Sequence, residues 1–323
     1  MSNNKKRIGL LTSGGDAPGM NAVIRSVVRT ADHFGMSVYG IKAGYDGLFK
    51  GEVEKMNPSD VSGIIHRGGT ILRTARCMEM MTEDGQKRAA EVLKILKLDA
   101  LVVVGGDGSF KGAKALSQYG IGVIGIPATI DLDMDCTEYT VGFDTAVNTA
   151  TEAIIRIRDT SSSHERCSVV EVMGRNAGYL ATWCGLTGGA EEVLIPENPT
   201  NIECVIEQIL NNRAKGKKHN LVVVAEGVGG SFELSLEIER VLGIEARATI
   251  LGHLQRGGIP TALDRMHATV MGYMAAKAIN DGNINKAVVY KNGKHELMEL
   301  EDALNAKKSY DPEFYEITKI LAI

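Results

Sequence analysis

The 323-residue sequence has few features of membrane, secreted or disulfide-stabilised proteins. No apolar run approaches the roughly 18 residues of a membrane span, and residues 1–7 are not followed by the hydrophobic core of a secretion signal. The five cysteines are odd in number, lack CxxC spacing and lie in apolar segments, which is typical of free thiols in a reducing compartment. We therefore expect a soluble, cytoplasmic protein without a zinc site.

The sequence also lacks an excess of charge of either sign. Against 36 lysine and arginine residues stand 40 aspartate and glutamate residues, which gives a net charge of −4. This balance argues against nucleic-acid and membrane partners, but it allows a local basic pocket for a small anion. Apolar residues make up 44% of the chain, so it can bury a core, and its length corresponds to about two domains.

Short apolar, β-branched segments alternate with helical patterns along the chain. Strands this apolar are buried on both faces, and a parallel connection needs a crossover, so the alternation predicts an α/β fold with mainly parallel sheets. A helix is predicted over 18–34, where Arg25 and Arg29 share a face away from the core. The predicted strands cover 7–12, 37–42, 100–104, 122–127, 168–172, 220–225 and 287–290.

Two glycine-rich turns follow predicted strands, at the sheet edge where ligands bind in open α/β folds. In SGGDAPGMN (13–21) the glycines let the backbone approach a phosphate at the start of a helix. In GGDGS (105–109) a tight turn also carries Asp107, a carboxylate suited to Mg²⁺. Each turn alone also fits a plain connection between a strand and a helix.

A third turn, ATIDLD (128–133), follows the strand predicted at 122–127. In an extended segment, Asp131 and Asp133 are expected to lie on one side, where one carboxylate suits a base and the other a metal ligand. Two acids at this spacing are otherwise solvated turn residues. The turn therefore gains its weight from the buried strand before it.

Two common nucleotide-binding motifs are excluded. GIGVIG (120–125) matches GxGxxG, but it enters a strand after a helix, the reverse of the dinucleotide-binding arrangement. The pattern GxxxxGK[ST] does not occur, which excludes an ordinary P-loop ATPase.

Arginine lies beside glycine or serine in several further segments. Each arginine alone fits a surface salt bridge, but together they indicate two phosphorylated ligands, because the planar guanidinium suits phosphate oxygens. The basic run at 215–219 follows a helical pattern and also fits a role in completing the helix dipole. The arginine segments are RGGTILRTAR (67–76), SSSHER (161–166), MGR (173–175) and LGHLQRGG (251–258).

Taken together, the motifs resemble the bacterial-type ATP-dependent 6-phosphofructokinases. The resemblance runs from Ile8 to about Asp302 and implies transfer of the ATP γ-phosphoryl group to the 1-hydroxyl of fructose 6-phosphate, the committed step of glycolysis, with Mg²⁺ as cofactor. The motifs that occur in the family's order and spacing are LTSGGDAPGMNA, VVGGDGS, TIDxD, GFDTA, RDTSSSHER, EVMGRNAG, AKGKKH and LGHLQRGG.

The resemblance also implies roles for individual residues. Asp131 is the implied base, assisted by Thr129, Arg76 and Arg175, and the implied metal ligands are Asp107 and Asp133. The residues implied to line ATP are Gly15, Arg76, Cys77, Gly106, Asp107, Gly108 and Ser109. Those implied to hold fructose 6-phosphate are Thr129, Ile130, Asp131, Met173, Gly174, Arg175, Glu226, His253, Leu254, Gln255 and Arg256, with Arg166 and Arg247 from a neighbouring subunit.

The family's architecture implies two doubly wound, Rossmann-like domains in a homotetramer whose sites are shared between subunits. By similarity, a larger ATP-binding domain covers 1–140 plus 253–304, and a smaller fructose-6-phosphate-binding domain covers 141–252 plus 305–323. An effector site for ADP or phosphoenolpyruvate is implied at Arg25, Arg29, Arg158, Gly189, Ala190, Glu191, Lys215, Lys217, Lys218 and His219.

The sequence departs from the family pattern at four positions. Ala128 stands where glycine is usual, Leu132 where asparagine is usual, and Arg73 replaces a small residue. Pro58 replaces an arginine of the effector site, which predicts weak or altered control by ADP and phosphoenolpyruvate. None of these changes removes a charged group that the implied mechanism needs.

Two alternatives remain open from the sequence. A pyrophosphate-dependent phosphofructokinase typically carries aspartate where this chain has Gly108, so Gly108 favours ATP as the donor. A catalytically weak, sugar-phosphate-binding regulatory paralogue is suggested by the departures. The residues that argue for an active enzyme are intact: Asp107, Asp131, Arg76 and Arg175.

Overall fold

The computed structural model describes residues 5–308 and 310–322. Three parts of the chain lie outside the described residues: 1–4, 309 and 323. Residues 1–4 belong to the segment from which a cytoplasmic location was predicted, and residues 309 and 323 belong to the predicted domain range 305–323. No helix in the described ranges combines the length and the apolar character needed to cross a membrane.

Strands and helices alternate through most of the described chain. The strands are β1 (Arg7–Thr12), β2 (Ser37–Ile41), β3 (Val53–Met56), β4 (Ala100–Gly105), β5 (Gly122–Pro127), β6 (Cys167–Val172), β7 (Glu192–Leu194), β8 (Asn220–Ala225), β9 (Ala246–Ile250), β10 (Lys286–Lys291) and β11 (Lys294–Glu299). The helices are α1 (Met20–His33), α2 (Asp46–Lys50), α3 (Glu83–Ile95), α4 (Asp107–Gln118), α5 (Phe143–His164), α6 (Tyr179–Gly188), α7 (Ile202–Ala214), α8 (Ser231–Leu242), α9 (Ala262–Asn280), α10 (Leu300–Asn305) and α11 (Glu313–Leu321), with short 3₁₀ helices at Glu79–Met81 and Gly252–Arg256.

The first compact unit comprises residues 5–129, 134–144 and 256–308 and contains a seven-stranded sheet. The strand order is β11-β10-β5-β4-β1-β2-β3, with β3 and β11 antiparallel at the two edges and the five inner strands parallel. Every residue of β4 and β5 is buried. One face of the sheet packs Leu101 and Val103 with Phe110 of α4 in a dry core.

The second unit comprises residues 130–133, 145–255 and 310–322 and contains a four-stranded sheet. Its strands lie in the order β7-β8-β6-β9 and are all parallel. Val169 of β6 and Val222 of β8 pack with Ile238 of α8 in this unit's own core. Both units therefore have the crossover architecture that buried parallel strands require.

The predicted α/β fold with mainly parallel sheets is confirmed. Strands predicted at 7–12, 122–127 and 220–225 have those bounds in the structure. The sequence prediction missed β3, β7, β9 and β11. All four lie at sheet edges. β3, β9 and β11 are partly exposed and contain polar residues, so they lack the apolar run that marked the inner strands, whereas β7 is buried but only three residues long.

The compact units divide the chain a few residues beyond the predicted domain boundaries. They change at 144, 255 and 308 rather than at 140, 252 and 304, and the second unit also takes 130–133. The assignment of one domain to ATP and the other to fructose 6-phosphate stays a prediction.

Candidate active site

The two glycine-rich turns and the start of the acidic turn, Ala128 and Thr129, lie together at one edge of the first unit's sheet. Because β1, β4 and β5 are parallel neighbours, the turns that follow them leave the same edge. Ser13 N donates a hydrogen bond to Val104 O at 2.9 Å, and Ala128 N donates to Gly105 O at 3.1 Å. The sheet itself therefore brings together the turns that the sequence analysis singled out separately.

The first two turns touch at Gly105. A Cβ at this position would lie 2.4 Å from both Ser13 O and Ser109 Oγ, closer than any side chain tolerates. Glycine is therefore required where the turn after β4 packs on the turn after β1. Gly14 has a φ of +88°, so the first turn also uses a backbone conformation that favours glycine.

Two helices begin at this edge without a side-chain cap. Helix α1 follows Gly19 and α4 follows Gly106, and no side chain of the described residues caps either N-terminus. The first N–H groups of a helix lack intrahelical partners and carry the positive end of the helix dipole. Two such ends at one sheet edge suit a ligand with several phosphate groups.

Asp107 places a carboxylate at this edge. Its side chain is 40% exposed and forms an ion pair with Lys111 Nζ at 2.6 Å, one helical turn further along α4. Among the described residues there is no group of three or more His, Cys, Asp or Glu side chains placed to hold a metal. Mg²⁺ usually keeps several waters and binds one or two carboxylates together with substrate phosphates, so an accessible oxygen donor such as Asp107 fits a metal that arrives with a nucleotide.

A loop of the arginine-rich segment 67–76 is fixed to the same edge. Asn21 of α1 is buried; its Nδ2 donates to Arg67 O at 3.0 Å and its Oδ1 accepts from Ile71 N at 2.8 Å. Thr74 Oγ1 donates to Gly14 O at 2.6 Å. Arg76 is exposed two residues later. The structure therefore places the loop that carries Arg76 beside the phosphate turns.

Cys77, predicted to line ATP, is half-buried, and burial raises the pKa of its thiol. It packs against the apolar core of the first unit. We infer that its contribution to a ligand site is a neutral, apolar surface.

Arg256, predicted to bind the sugar phosphate, lies against the first turn. Its Nη1 is 3.5 Å from Asp16 O, and a Cβ on Gly15 would lie 2.5 Å from the same Nη1. The guanidinium therefore covers Gly15, a residue predicted to line ATP.

In the second unit, the segments after β6, β8 and β9 also meet at one edge. Arg175 N donates to Glu226 Oε2 at 3.1 Å, and Met173 N donates to Gln255 Oε1 at 3.2 Å. Gln255 is fully buried, and its Nε2 donates to Gly252 O at 3.1 Å. Gln255 was predicted to bind the sugar phosphate, but in the structure its amide joins two site segments. His253 and Leu254 beside it are exposed.

Arg175 and the acidic turn meet within this unit. Arg175 Nη1 is 3.5 Å from Asp133 Oδ2, and the Arg175 side chain is 67% exposed. Both Arg175 and Leu132 have left-handed backbone, with φ of +56° and +54°. Asp131, between the buried Ile130 and Leu132, is itself buried. Such strained conformations cluster at ligand sites, since surrounding contacts must hold them in place.

Arg166 and Arg247 lie at the other edge of the second unit's sheet. Both pair with Glu245, Arg166 through Nε at 2.5 Å and Arg247 through Nε at 2.8 Å. Hydrogen bonds from Arg166 and then Arg247 lower the pKa of the Glu245 carboxyl. These residues flank the starts of β6 and β9, whereas Arg175 and Glu226 follow strand ends. The two arginines are therefore separated from the other predicted substrate residues of their own unit.

Part of the predicted effector site also forms at this amino-terminal edge. Arg158 Nη1 donates to Gly188 O at 2.8 Å. A Cβ on Gly189 would lie 2.4 Å from the same Nη1. Buried Glu191 pairs with Lys217 Nζ at 2.6 Å. Of the remaining members, Ala190, Lys218 and His219 lie just before the starts of β7 and β8, at this same edge. Ala190 is buried, Lys218 pairs with Glu165, Lys215 and His219 follow α7, and Arg25 and Arg29 lie on α1 of the first unit.

Two buried residues hold segments of the site in place, and the sequence analysis assigned neither of them this role. Tyr45 is buried, its hydroxyl donates to Ser109 O at 2.7 Å, and burial raises its pKa. Tyr45 lies outside every motif, so no sequence pattern pointed to it. Asn21 lay within the first motif, and its buried bonds identify it as the residue that fixes the arginine loop.

The chain matches a known protein family over most of its length. The sequence pattern of the phosphofructokinase family matches residues 7–279. The chain is 54% identical over 317 residues to an ATP-dependent 6-phosphofructokinase of Clostridium botulinum (strain Hall), covering 98% of this chain and 99% of that protein. It is 52% identical over 318 residues to the enzyme of that name from Alkaliphilus metalliredigens, covering 98% and 100%.

Among solved structures, the phosphofructokinase of Saccharomyces cerevisiae superposes with a TM-score of 0.87 at 34% identity. The match covers 99% of this chain and 48% of the yeast chain, so this chain spans about half the yeast chain's length. The resemblance drawn from the motifs is confirmed: the chain belongs to the phosphofructokinase family.

Proposed function

We propose that this chain is an ATP-dependent 6-phosphofructokinase, which converts fructose 6-phosphate and ATP to fructose 1,6-bisphosphate and ADP. The observation that carries the proposal is the contact between the two glycine-rich turns at Gly105, with two uncapped helix N-termini beside it. Such an edge binds polyphosphate. The curated relatives at 54% and 52% identity, named for the ATP-dependent reaction, support the same donor.

Gly108 supports ATP over pyrophosphate. A Cβ on Gly108 would meet no atom of the described residues within 4 Å, so the second turn leaves open space there. An aspartate in that space would add a negative charge beside the nucleotide's α-phosphate. Glycine therefore suits a donor that extends beyond two phosphates.

The second unit supplies the groups for the acceptor. Arg175 is joined to Glu226 through its backbone N–H, and its guanidinium, 3.5 Å from Asp133 Oδ2, is exposed enough to bind the sugar phosphate as well. Asp131 takes the proton of the 1-hydroxyl as that oxygen attacks the γ-phosphorus and the bond to the ADP oxygen breaks. Arg76 and the helix N-termini stabilise the negative charge of the transferring group. Bound Mg²⁺ supplies further charge neutralisation, and Asp107 and Asp133 are the carboxylates that would hold it.

The residues at the other edge of the second unit's sheet support a proposal for assembly and regulation. Arg166 and Arg247 lie away from Arg175 and Glu226 of their own unit, which supports their contribution to a neighbouring subunit's substrate site in a homotetramer. The cluster of Arg158, Glu191 and Lys217 supports an effector site for ADP or phosphoenolpyruvate, weakened by Pro58. Buried free thiols at Cys136, Cys167 and Cys184 suit the reducing cytoplasm.

A coupled assay with fructose 6-phosphate, supplied with ATP or pyrophosphate in parallel, tests the proposal. We expect turnover with ATP and Mg²⁺ and little or none with pyrophosphate. Equal use of both donors would support the pyrophosphate alternative. Fructose 6-phosphate binding without turnover by either donor would support the regulatory paralogue.

A further inference from the structure

Arg73 has an unusual backbone conformation for an arginine. Its φ is +59°, in the left-handed region where a Cβ crowds the backbone and glycine is favoured. Its N–H donates to Thr70 O at 3.1 Å. Strained conformations of this kind persist only where surrounding contacts enforce them, and they cluster at ligand sites.

Hydrogen bonds on both sides of Arg73 fix it to the turn after β1. Thr12 Oγ1 donates to Arg73 O at 2.8 Å, and Thr74 Oγ1 donates to Gly14 O at 2.6 Å. Thr12 is fully buried and is the last residue of β1, so the strand itself determines where Arg73 lies. The backbone of Arg73 is therefore held beside the first phosphate turn.

The side chain of Arg73 is exposed, and its guanidinium has no hydrogen-bond or ion-pair partner within residues 5–308 and 310–322. Arg76 is exposed three residues later on the same loop. Both carry positive charge on one short loop, and a polyanion bound against both would neutralise it. Guanidinium groups also form paired hydrogen bonds with phosphate oxygens.

We propose that Arg73 is a further donor-binding residue, which contacts the polyphosphate of the nucleotide together with Arg76. The inference rests on the proposed function, because it takes ATP as the donor. The loop itself does not require arginine, since glycine adopts the same φ without strain. The side chain, not the backbone, therefore accounts for arginine at this position.

Direct binding to the full-length protein tests the proposal. Calorimetric dissociation constants for AMP, ADP and ATP are measured for the parent, Arg73→Gly and Arg73→Lys, at low and high salt. We expect Arg73→Gly to weaken ADP and ATP binding about tenfold, the usual effect of losing one charged contact to phosphate, while AMP changes less than about twofold. Arg73→Lys keeps the positive charge but lacks the paired N–H donors of the guanidinium, so we expect an intermediate loss of ADP and ATP affinity. The salt dependence of ATP binding should be shallower in Arg73→Gly.

Lys97→Gly is the matched control. Lys97 is also an exposed cation with left-handed backbone, at a φ of +53°, but it lies between α3 and the start of β4. Both variants remove one charge and relieve the same backbone strain. We therefore expect the midpoint of thermal unfolding of each variant to equal or exceed that of the parent. Only Arg73→Gly should lose nucleotide affinity.

Unchanged ADP and ATP affinity in Arg73→Gly, or an equal loss in Lys97→Gly, would overturn the inference. An equal loss for AMP would also overturn it, because the contact would then not be to the polyphosphate. If the parent binds ATP but does not phosphorylate fructose 6-phosphate, the proposed function fails while the binding series still decides the role of Arg73. A parent that binds no nucleotide contradicts both.

Discussion

The guanidinium of Arg256 covers the backbone of Gly15, so that a methyl group on Gly15 would lie 2.5 Å from Arg256 Nη1. The two residues are far apart in the sequence, and they were assigned to different ligands by resemblance. Their contact means that the shape of the first phosphate turn and the position of this arginine depend on each other. It also makes the pair accessible to a direct test.

Gly15→Ala should displace the Arg256 guanidinium with little loss of stability, because the atom it meets is the end of a flexible side chain. We expect a loss of about tenfold or more in kcat/KM, similar to that of Arg256→Ala. Steady-state kinetics of both single variants and the double variant check this. The double variant should lose no more than Arg256→Ala alone, since the two changes act through one group. Additive losses would show that Gly15 acts independently of Arg256.

Asp131→Asn should lower kcat by at least ~10²-fold, because a positioned general base contributes about 10² to 10⁴ to the rate. ATP binding should remain, since Asp131 belongs to the second unit and the phosphate turns to the first. Single-turnover kinetics together with ATP titration separate the two effects. A variant with near-normal kcat would remove the base assignment.

Gly108→Asp should depress ATP use far more than any residual pyrophosphate use. The open space at Gly108 accepts the side chain, so the fold should persist and the effect should come from the added charge. The comparison is kcat/KM for both donors in the parent and the variant. An equal fall for both donors would indicate general damage to the turn rather than donor selection.

The stability of the first unit should fall as the pH falls from about 6.5 towards 4. His267 Nδ1 and His295 Nε2 are 2.9 Å apart, and His267 stacks on Tyr139 with a centroid distance of 3.8 Å beside Tyr290. Burial, and then His295, lower the pKa of His267 to about 4. The unfolded chain therefore binds more protons than the folded chain in this pH range, and folding loses up to about 3 kcal/mol.

Urea unfolding between pH 4.5 and 7.5 measures this loss. The double variant His267→Leu/His295→Leu replaces both rings with apolar groups and should show a flatter pH dependence. Asp264, which accepts a hydrogen bond from Tyr139, is retained in both proteins. His66→Gln changes an exposed histidine and serves as the control. The same pH slope in the parent and the double variant would show that the pair does not carry the effect.

Mixed oligomers test the shared substrate site. If Arg247 serves a neighbour's site, co-assembled Arg247→Ala and Asp131→Asn subunits contain some sites with both groups intact. We expect measurable recovery of activity in verified mixed oligomers, although each variant alone is weak. No recovery would refute the shared arrangement.

The sequence predicted those parts of the fold and site that depend on local pattern. Strands buried on both faces, such as 122–127, are apolar throughout, and glycine residues mark the glycine-rich turns that follow such strands. Because parallel strands end at a common edge, the meeting of the first two turns also followed from the alternation of elements.

The remaining features depend on contacts between distant segments. No local sequence pattern predicts the contact of Arg256 with Gly15 or the pairing of His267 with His295. The left-handed backbone at Arg73 and Leu132 was also unpredictable, because arginine and leucine ordinarily avoid it. The burial of Gln255, with its amide bonded to Met173 N and Gly252 O, likewise depends on a segment distant in the sequence.

The most direct test of the central claim follows the phosphoryl group itself. The protein is incubated with fructose 6-phosphate, Mg²⁺ and ATP whose γ-phosphoryl oxygens carry ¹⁸O. The product is analysed by ³¹P NMR, in which ¹⁸O shifts the resonance of the phosphorus it is bonded to. We predict that the labelled phosphoryl group appears on the 1-oxygen of fructose 1,6-bisphosphate, in an amount equal to the ADP formed. Label released only as inorganic phosphate, or no loss of ATP in the presence of the sugar phosphate, would contradict the assignment.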